Sequence, residues 1–433
     1  MFKVLASAWA LLLGMMLLQV GNGMQSTLLG IRGEIEGFSA MEMSLVMSGY
    51  FVGFLFGSRM ATGMIRRVGH VRVFAALGSL ISAVMILYPV LTDPIAWGLL
   101  RVLIGFCFSG VYVAAESWLN GAADNENRGK ALSLYMIMQM VGIVSAQYLL
   151  VLGDASGFIL FIVPSVLVSL AFAPILLSIS PTPAFDTTKP LSLREIMTIS
   201  PLGCVGMFLL GGVFSAQFGM APVYGAAAGL SVGQISTFVS SFFVAALLVQ
   251  YPMGWLSDRM DRRVLIMTGS LIIGIGGLIG MVLGSVFIIL CVAAVLIGGL
   301  SNPLYSLLIA YTNDFLEHDD MAAAASGMVF INGLGAVFGP IFTGWIMGVV
   351  GPSGYFLFIA VLGFAMAAYA AYRMTQRAAP SVQETDSFAA LSMQSSPVFV
   401  EVAQEWAIEE SQGPEGEDGG EDTAAHGGTA PTA

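Results

Sequence analysis

The sequence predicts an all-α membrane protein with twelve transmembrane helices. Of the 433 residues, 57% are hydrophobic and only 10% are charged. A soluble globular protein carries about 25% charged residues, so this composition excludes a soluble fold. A spanning helix needs about 20 apolar residues, and apolar runs of that length recur from the N-terminus to residue 373. The recurrence of these runs predicts a polytopic helical bundle.

The twelve apolar runs are separated by short polar or Gly/Pro-rich breaks. They lie at residues 5–28, 43–64, 72–92, 95–118, 131–152, 158–179, 201–224, 234–256, 264–284, 286–311, 323–349 and 354–373. The first run follows Lys3 and resembles a secretory signal peptide. It lacks a cleavage site of small residues, so we expect an uncleaved first helix.

The longest connection between runs predicts two domains. Residues 180–200 contain three prolines and divide the runs six and six. We therefore predict an N-terminal six-helix bundle at 1–179, a central cytoplasmic loop at 180–200 and a C-terminal six-helix bundle at 201–373.

The basic residues predict the orientation of the chain. With twelve spans, only Arg32 and Arg101 fall away from the side that carries the other fourteen. The positive-inside rule assigns that side, and both termini, to the cytoplasm. The fourteen are Lys3, Arg59, Arg66, Arg67, Arg72, Arg128, Lys130, Lys189, Arg194, Arg259, Arg262, Arg263, Arg373 and Arg377.

Negative charge is concentrated at the C-terminus. Residues 374–433 contain eleven acids and one base, a net charge of −10, which leaves −1 for the rest of the chain. A segment rich in Gly, Ser, Glu and Asp cannot bury enough apolar area to fold, so we predict a disordered acidic cytoplasmic tail. A basic nucleic-acid-binding surface is absent from the sequence.

The two halves carry similar loops about 192 residues apart. Residues 65–71 follow the second run and residues 257–263 follow the eighth. Two parallel six-helix repeats are typical of transporters whose substrate site lies between the halves near the membrane midplane.

The segment Gly254–Arg263, which reads GWLSDRMDRR, resembles the signature loop of the major facilitator superfamily, G-x-L-[AS]-D-[RK]-x-G-[RK]-[RK]. Nine of the ten positions match, and Asp261 replaces the last glycine. The copy after the second run is degenerate, with Arg66 in place of the aspartate. Short pieces such as residues 115–117 and 127–130 are similar to the YcaD-like bacterial subgroup. The resemblance implies the major facilitator fold, with two pseudo-symmetric six-helix bundles.

The signature loop predicts a cytoplasmic latch between the two halves, because an aspartate at a helix end can pair with nearby arginines. The alternative is that the arginines only fix topology. Glu116 also has two interpretations: a gate partner of Arg66, Arg67 or Arg128, which the sequence favours, or a proton acceptor that couples transport to a proton gradient. The predicted gate and latch residues are Asp258, Arg259, Arg262, Arg67 and Glu116.

Polar residues within the spans predict a substrate cavity. At 100° per residue, Arg101, Tyr112 and Glu116 share one face of the fourth helix, and the resemblance implies a cavity lined by helices 1, 4, 7 and 10. The alternative is that these residues only make interhelical hydrogen bonds, worth about 0.6 kcal/mol each. The predicted cavity residues are Gln19, Asn22, Gln25, Arg101, Tyr112, Gln139, Gln217, Tyr224, Asn302 and Tyr305.

These observations predict a secondary active transporter that moves a small organic solute across the bacterial inner membrane by alternating access. Proton coupling is left open, and we expect a monomer in the lipid bilayer. The sequence has no Walker loop or other enzyme motif, so we predict no enzyme activity, no cofactor and no metal. The alternative function is a non-transporting membrane sensor or scaffold that acts through its acidic tail.

Overall fold

A computed structural model describes residues 2–122, 125–177, 192–376, 388, 390–392, 394–400 and 402–404. Within these ranges the regular elements are helices. They are α1 (Phe2–Ile35), α2 (Ala40–Val68), α3 (His70–Leu87), α4 (Pro94–Ala122), α5 (Asn125–Val151), α6 (Ile159–Leu177), α7 (Leu193–Ile199), α8 (Pro201–Ser215), a π-helical segment (Ala216–Met220), α9 (Ala221–Ala227), α10 (Val232–Ser257), α11 (Arg262–Leu283), α12 (Phe287–Asn313), α13 (His318–Val350) and α14 (Gly354–Gln376).

Each of the twelve predicted spans coincides with one of these helical stretches, and the prediction of an all-α membrane protein is confirmed. Ten stretches in the described part of the chain are long and apolar enough to cross a membrane. Helix α6 contributes the shorter apolar stretch Ile159–Pro174. Helix α1 has 34 residues, which is ample length to span a membrane. The short α7 lies within the predicted central loop.

The seventh span is one continuous path with a π-helical turn in its middle. Helix α8, the π segment and α9 follow one another from Pro201 to Ala227. Pro222 lies in the first turn of α9 and has no amide hydrogen to donate to the preceding turn. The π-helical turn immediately before Pro222 is wider than an α-helical turn, so the backbone continues without the hydrogen bond that Pro222 cannot donate. Gln217, a predicted cavity residue, lies within this π segment.

Helices α2 and α4 form one of the closest contacts in the N-terminal bundle. A Cβ atom added at Gly105 would lie 1.9 Å from the carbonyl oxygen of Tyr50, and one added at Gly53 would lie 1.9 Å from that of Val102. Small residues allow this approach of two backbones in a membrane. The contact holds Tyr50 against the face of α4 that carries Arg101.

Substitution of Gly105 by leucine is therefore expected to prevent normal packing of α2 on α4. Overpacking a tight core costs about 1–3 kcal/mol, and more where backbone must move. We expect a severalfold lower yield of monodisperse protein on size-exclusion chromatography in detergent. The matched control is Gly98→Leu on the same helix, where an added Cβ meets nothing within 4 Å. Equal yields of the two variants would contradict this account of the helix contact.

The two bundles are in closer contact toward one face of the membrane than toward the other, where Arg59 of α2 still lies 4.0 Å from the centre of the Phe330 ring of α13. We call the face where α1 begins and α14 ends the terminal face, and the other the opposite face. Toward the opposite face, Gly30 packs against Pro222 and Gly344 against Ser44. Ser48 Oγ also donates across the bundles to the carbonyl oxygen of Val337, at 2.7 Å. Toward the terminal face, a cavity of about 620 Å³ separates α2 from α13.

The structure differs from the predicted disordered tail between residues 388 and 404, which we call the tail segment. Its described residues lie between the two bundles, and α14 itself continues to Gln376. The physical reason is local composition: residues 387–400 carry no charge, although the tail as a whole is acidic. The rest of the predicted tail lies outside the described residues. The buried residues are Leu391, Ser392, Gln394, Ser395, Ser396, Phe399, Val400, Val402, Ala403 and Gln404.

Candidate functional site

The N-terminal bundle places a polar cluster beside the cavity of about 620 Å³, which one of its members, Tyr50, lines. Tyr112 on α4 donates its hydroxyl to Oε1 of Gln19 on α1, at 2.7 Å. Asn22, one turn further along α1, donates to the hydroxyls of Tyr50 at 3.1 Å and Tyr112 at 3.2 Å. All four side chains are buried. The structure thus brings Gln19, Asn22 and Tyr112 together, as the spacing on α1 and α4 predicts. We call these four residues the N-cluster.

Arg101 lies beyond the N-cluster, toward the opposite face, and is fully buried. Its guanidinium donates to Oε1 of Gln25 at 3.2 Å and to Oγ of Ser26 at 3.3 Å. Its Cζ lies 4.9 Å from the centre of the Tyr50 ring. No carboxylate of the described residues pairs with it. An arginine buried without a carboxylate partner among the described residues gives its surroundings a positive potential.

The C-terminal bundle contributes a second polar cluster. Ser301 Oγ on α12 donates to Oε1 of Gln217 in the π segment, at 3.2 Å. Asn302 Nδ2 donates to Oε1 of Gln250 on α10 at 3.3 Å, and Gln250 Nε2 donates to Oγ of Ser306 at 3.1 Å. We call these five residues the C-cluster. Gln217 and Asn302 belong to the predicted cavity residues, and the structure places Gln250, Ser301 and Ser306 beside them.

Three further predicted cavity residues lie outside both the N-cluster and the C-cluster. Tyr224 packs in an aromatic cluster, with ring centres 5.0 Å from those of Tyr355 and Phe356. Its predicted position assumed a regular α-helix, but the π turn between it and Gln217 shifts the helical phase. Gln139 on α5 and the hydroxyl of Tyr305 on α12 are buried, with no hydrogen-bond partner among the described residues.

Glu116 is buried near the terminal face between α4, α5 and the tail segment. Its Oε1 accepts from the hydroxyl of Tyr135 at 2.9 Å, and its Oε2 accepts from the backbone N–H of Ser396 at 3.0 Å. Arg66 and Arg67 are exposed, and the side chain of Arg128 lies outside the described residues. In the described part of the chain, a tyrosine and a backbone amide replace the arginine partner that the sequence favours.

The predicted latch residues make contacts within their own bundle or with the tail segment. Arg262 pairs with Asp314 at the end of α12, and both side chains are buried. Asp258 accepts from the backbone N–H of Phe388 at 3.2 Å. Arg259 lies 4.3 Å above the ring of Trp255. None of these contacts reaches the described residues of the N-terminal bundle, which is consistent with a terminal face that is open.

The residue that departs from the family signature, Asp261, begins helix α11. Its carboxylate accepts from the backbone N–H of Arg263 at 2.9 Å and pairs with the guanidinium of Arg263 at 2.8 Å. Partial burial acts to raise the pKa of Asp261, but these hydrogen bonds outweigh it and hold the pKa below its usual value. A capping carboxylate favours the helix start, so Asp261 replaces a flexible glycine with a fixed loop end.

The Arg262–Asp314 pair is expected to stabilise the C-terminal bundle. Removing one partner of a buried pair leaves an uncompensated charge and costs about 3–5 kcal/mol. We expect Asp314→Asn to lower the thermal unfolding midpoint of the purified protein by several degrees. The matched control is Asp320→Asn at an exposed position, and the double variant Arg262→Met/Asp314→Leu should recover most of the loss. If Asp314→Asn and Asp320→Asn have the same thermal unfolding midpoint, the Arg262–Asp314 pair does not stabilise the bundle.

The tail segment lies between the two clusters. Gln394 accepts from Nε2 of Gln19 in the N-cluster at 2.7 Å, and the backbone N–H of Leu391 donates to Oγ of Ser306 in the C-cluster at 2.9 Å. Gln394 and Ser392 line a small cavity together with Gln217. The signal that could have revealed this segment is the uncharged run 387–400 within an otherwise acidic tail.

Comparison with known proteins yields one family. The family model described as Major Facilitator Superfamily matches residues 11–233 and again residues 203–408. The chain is 27% identical to the MFS-type transporter YfkF of Bacillus subtilis, over 78% of this chain and 88% of that one. It is 23% identical to the MFS-type transporter YcaD of Salmonella arizonae, over 82% and 92%. Among solved structures, the nucleoside transporter NupG aligns with a TM-score of 0.68 at 12% identity, over 84% of this chain and 98% of that one.

Proposed function

The chain belongs to the major facilitator superfamily, and we propose that it moves a small polar organic solute across the bacterial inner membrane by alternating access. It is a multi-pass membrane transporter and not an enzyme, and the predicted fold is confirmed. The observation that carries the proposal is the pair of polar clusters that face each other between the bundles, in a space that is open on one face of the membrane only.

The asymmetry between the two faces supports alternating access. Cross-bundle hydrogen bonds close the opposite face, including Ser26 Oγ to the carbonyl oxygen of Phe218 at 3.1 Å. Toward the terminal face, a cavity of about 620 Å³ and the tail segment separate the bundles. Because each bundle packs as a unit around its own cluster, a rocking motion would exchange the open and closed faces about a fixed site. The positive-inside rule assigns the terminal face to the cytoplasm, so the described conformation is inward-open.

The chemistry of the clusters favours a solute rich in hydrogen-bonding groups. Amides and hydroxyls of both clusters can donate and accept, and the amide of Gln394 already lies among them. Arg101 adds positive potential from the opposite-face side. A neutral, zwitterionic or anionic solute with several hydroxyl or amide groups fits this environment better than a cation does.

Proton coupling through Glu116 belongs to the same proposal. An ionisable residue inside a membrane span is costly and commonly marks a proton pathway. The described partners of Glu116 are neutral donors, so uptake of a proton on this carboxyl would break no ion pair with a described residue. Protonation and release could therefore accompany each transport cycle.

A thermal-shift screen of the purified protein tests the proposed solute class. The first probes are nucleosides, because the aligned solved structure is a nucleoside transporter, followed by hexoses, amino acids and dicarboxylates. A hit is then supplied in radiolabelled form to proteoliposomes with and without an inward proton gradient. We expect stabilisation by a polar solute and its accumulation with the gradient. Stabilisation only by cations or lipophilic compounds, or binding without transport, would overturn the proposal.

A further inference from the structure

The tail segment lies where a transported solute would have to bind. We propose that the described residues of the tail segment form an intramolecular plug, which occupies the space between the bundles and holds the terminal face open until it is displaced. This inference rests on the proposed transport function and adds its regulation.

The plug binds the N-terminal bundle through three helices. Gln394 bonds to Gln19 of α1 at 2.7 Å, and the backbone N–H of Ser396 donates to Glu116 of α4 at 3.0 Å. The ring of Phe399 packs against Tyr135 of α5 with ring centres 5.3 Å apart. Ser396 and Phe399 are fully or almost fully buried. These contacts combine directional polar bonds with a buried aromatic anchor.

The plug binds the C-terminal bundle with a different part of its length. The backbone N–H of Leu391 donates to Ser306 of α12 at 2.9 Å, and Leu391 itself is buried. The backbone N–H of Phe388 donates to Asp258 of α10 at 3.2 Å, and its ring packs against Gly254. The residues that contact the C-terminal bundle therefore precede, in sequence, those that contact the N-terminal bundle.

The plug also divides the space between the bundles. A cavity of about 620 Å³ lies between the tail segment, α2 and α13. A second cavity, of about 520 Å³, lies between the tail segment, α5 and α10. A segment with buried residues in contact with both bundles acts as a wedge, because the terminal face cannot close while the segment fills the gap.

The plug and the solute compete for the same polar groups. Gln394 takes a donor of the N-cluster, and Leu391 takes an oxygen of the C-cluster. A solute that needs these groups can bind fully only after the plug has left. Release of the plug therefore has two consequences: the clusters become available, and the bundles become free to approach each other at the terminal face.

Cross-linking tests whether the plug occupies this position in membranes. Cys107, Cys204 and Cys291 are replaced by serine, and Leu391→Cys and Ser306→Cys are introduced into the full chain, with a protease site between residues 377 and 387. After oxidation and proteolysis, we expect the C-terminal fragment to remain attached. The control pairs Ser306→Cys with Ala424→Cys, and we expect its fragment to separate. Release of the fragment in both variants would overturn the proposal.

Distance measurements test whether the plug holds the face open. Spin labels at Thr62→Cys on α2 and Ser326→Cys on α13, both of which line the larger cavity, report the width of the opening. Phe399→Asp places a charge against Tyr135 and should release the plug. We expect a shorter distance population to appear in this variant, whereas Ala424→Asp should keep the original distribution. Identical distributions in all three proteins would overturn the wedge.

These two readouts do not require a known solute, so they separate the plug from the transport function. If no probe is transported but cross-linking and distances behave as expected, the proposed function fails and the plug stands. Once a transported solute is known, Phe399→Asp should raise its initial uptake rate severalfold over Ala424→Asp. An unchanged rate would show that the segment does not regulate transport.

Discussion

Replacement of Arg101 by methionine is expected to reduce transport strongly while leaving the protein as stable as before. The buried guanidinium has no carboxylate partner among the described residues, so the folded protein gains little from its charge. A buried charge without a counter-ion carries a desolvation cost, and recovery of that cost in the variant offsets the loss of the hydrogen bonds to Gln25 and Ser26. A charged hydrogen bond to the solute contributes about 1.5–3 kcal/mol, which corresponds to about 10- to 150-fold in apparent affinity. Uptake at low solute concentration should fall by that factor.

Two measurements on the same preparations separate the functional role of Arg101 from a structural one. Thermal unfolding should give the same or a higher midpoint for Arg101→Met, and Arg72→Met, at an exposed position on α3, should be normal in both assays. Arg101→Lys keeps the charge but cannot reach Gln25 and Ser26 together, and should be intermediate in uptake. A large fall in the unfolding midpoint with Arg101→Met would instead assign the residue to the structure of the N-terminal bundle.

Substitution of Glu116 by glutamine is expected to abolish uphill accumulation and to leave exchange of solute within about twofold of the wild-type rate. The glutamine oxygen can still accept from Tyr135 or from the tail segment, so the local packing is kept. It cannot take up or release a proton, and proton-driven accumulation requires both. Exchange down the gradient of the solute itself requires no net protonation.

The measurement compares both transport modes in proteoliposomes loaded with the identified solute. Tyr135→Phe is the matched control, because it removes a hydrogen-bond donor from Glu116 but keeps the carboxyl. We expect it to reduce accumulation only partly. If Glu116→Gln slows exchange as much as accumulation, the residue controls the opening of the terminal face, as the sequence favours, and does not carry protons.

Hydropathy alone located the ten helical stretches of the described residues that are long and apolar enough to cross a membrane, because apolar length is set by membrane thickness. What it could not predict is how far helices continue beyond the apolar run. Helix α1 extends to Ile35, where Arg32 and Glu36 form an ion pair one turn apart. The π segment was also missed, since its effect depends on how Pro222 and the turn before it pack against neighbouring helices.

The candidate site was predicted in part. Gln19, Asn22 and Gln25 recur every three residues, so one helix face could be identified from spacing. Their partners could not be identified, because Tyr50 reaches them only through the close contact of α2 with α4. The prediction of a disordered tail rests on the net charge of all 60 residues from 374 to 433. That net charge does not reveal the uncharged run 387–400, part of which lies between the bundles.

The length of the connection to the plug has a quantitative consequence. Eleven residues, 377–387, separate the end of α14 from Phe388. A ligand on so short a tether is present at an effective concentration of about 1 mM. A plug with an intrinsic dissociation constant of only about 0.1 mM would then occupy its site about 90% of the time, and would raise the apparent dissociation constant of a competing cytoplasmic solute about tenfold. Solute arriving from the opposite face is hindered as well, because the plug holds the terminal face open and the opposite face can open only after the plug has left. The tether would therefore slow transport in both directions, without any change in the equilibrium gradient.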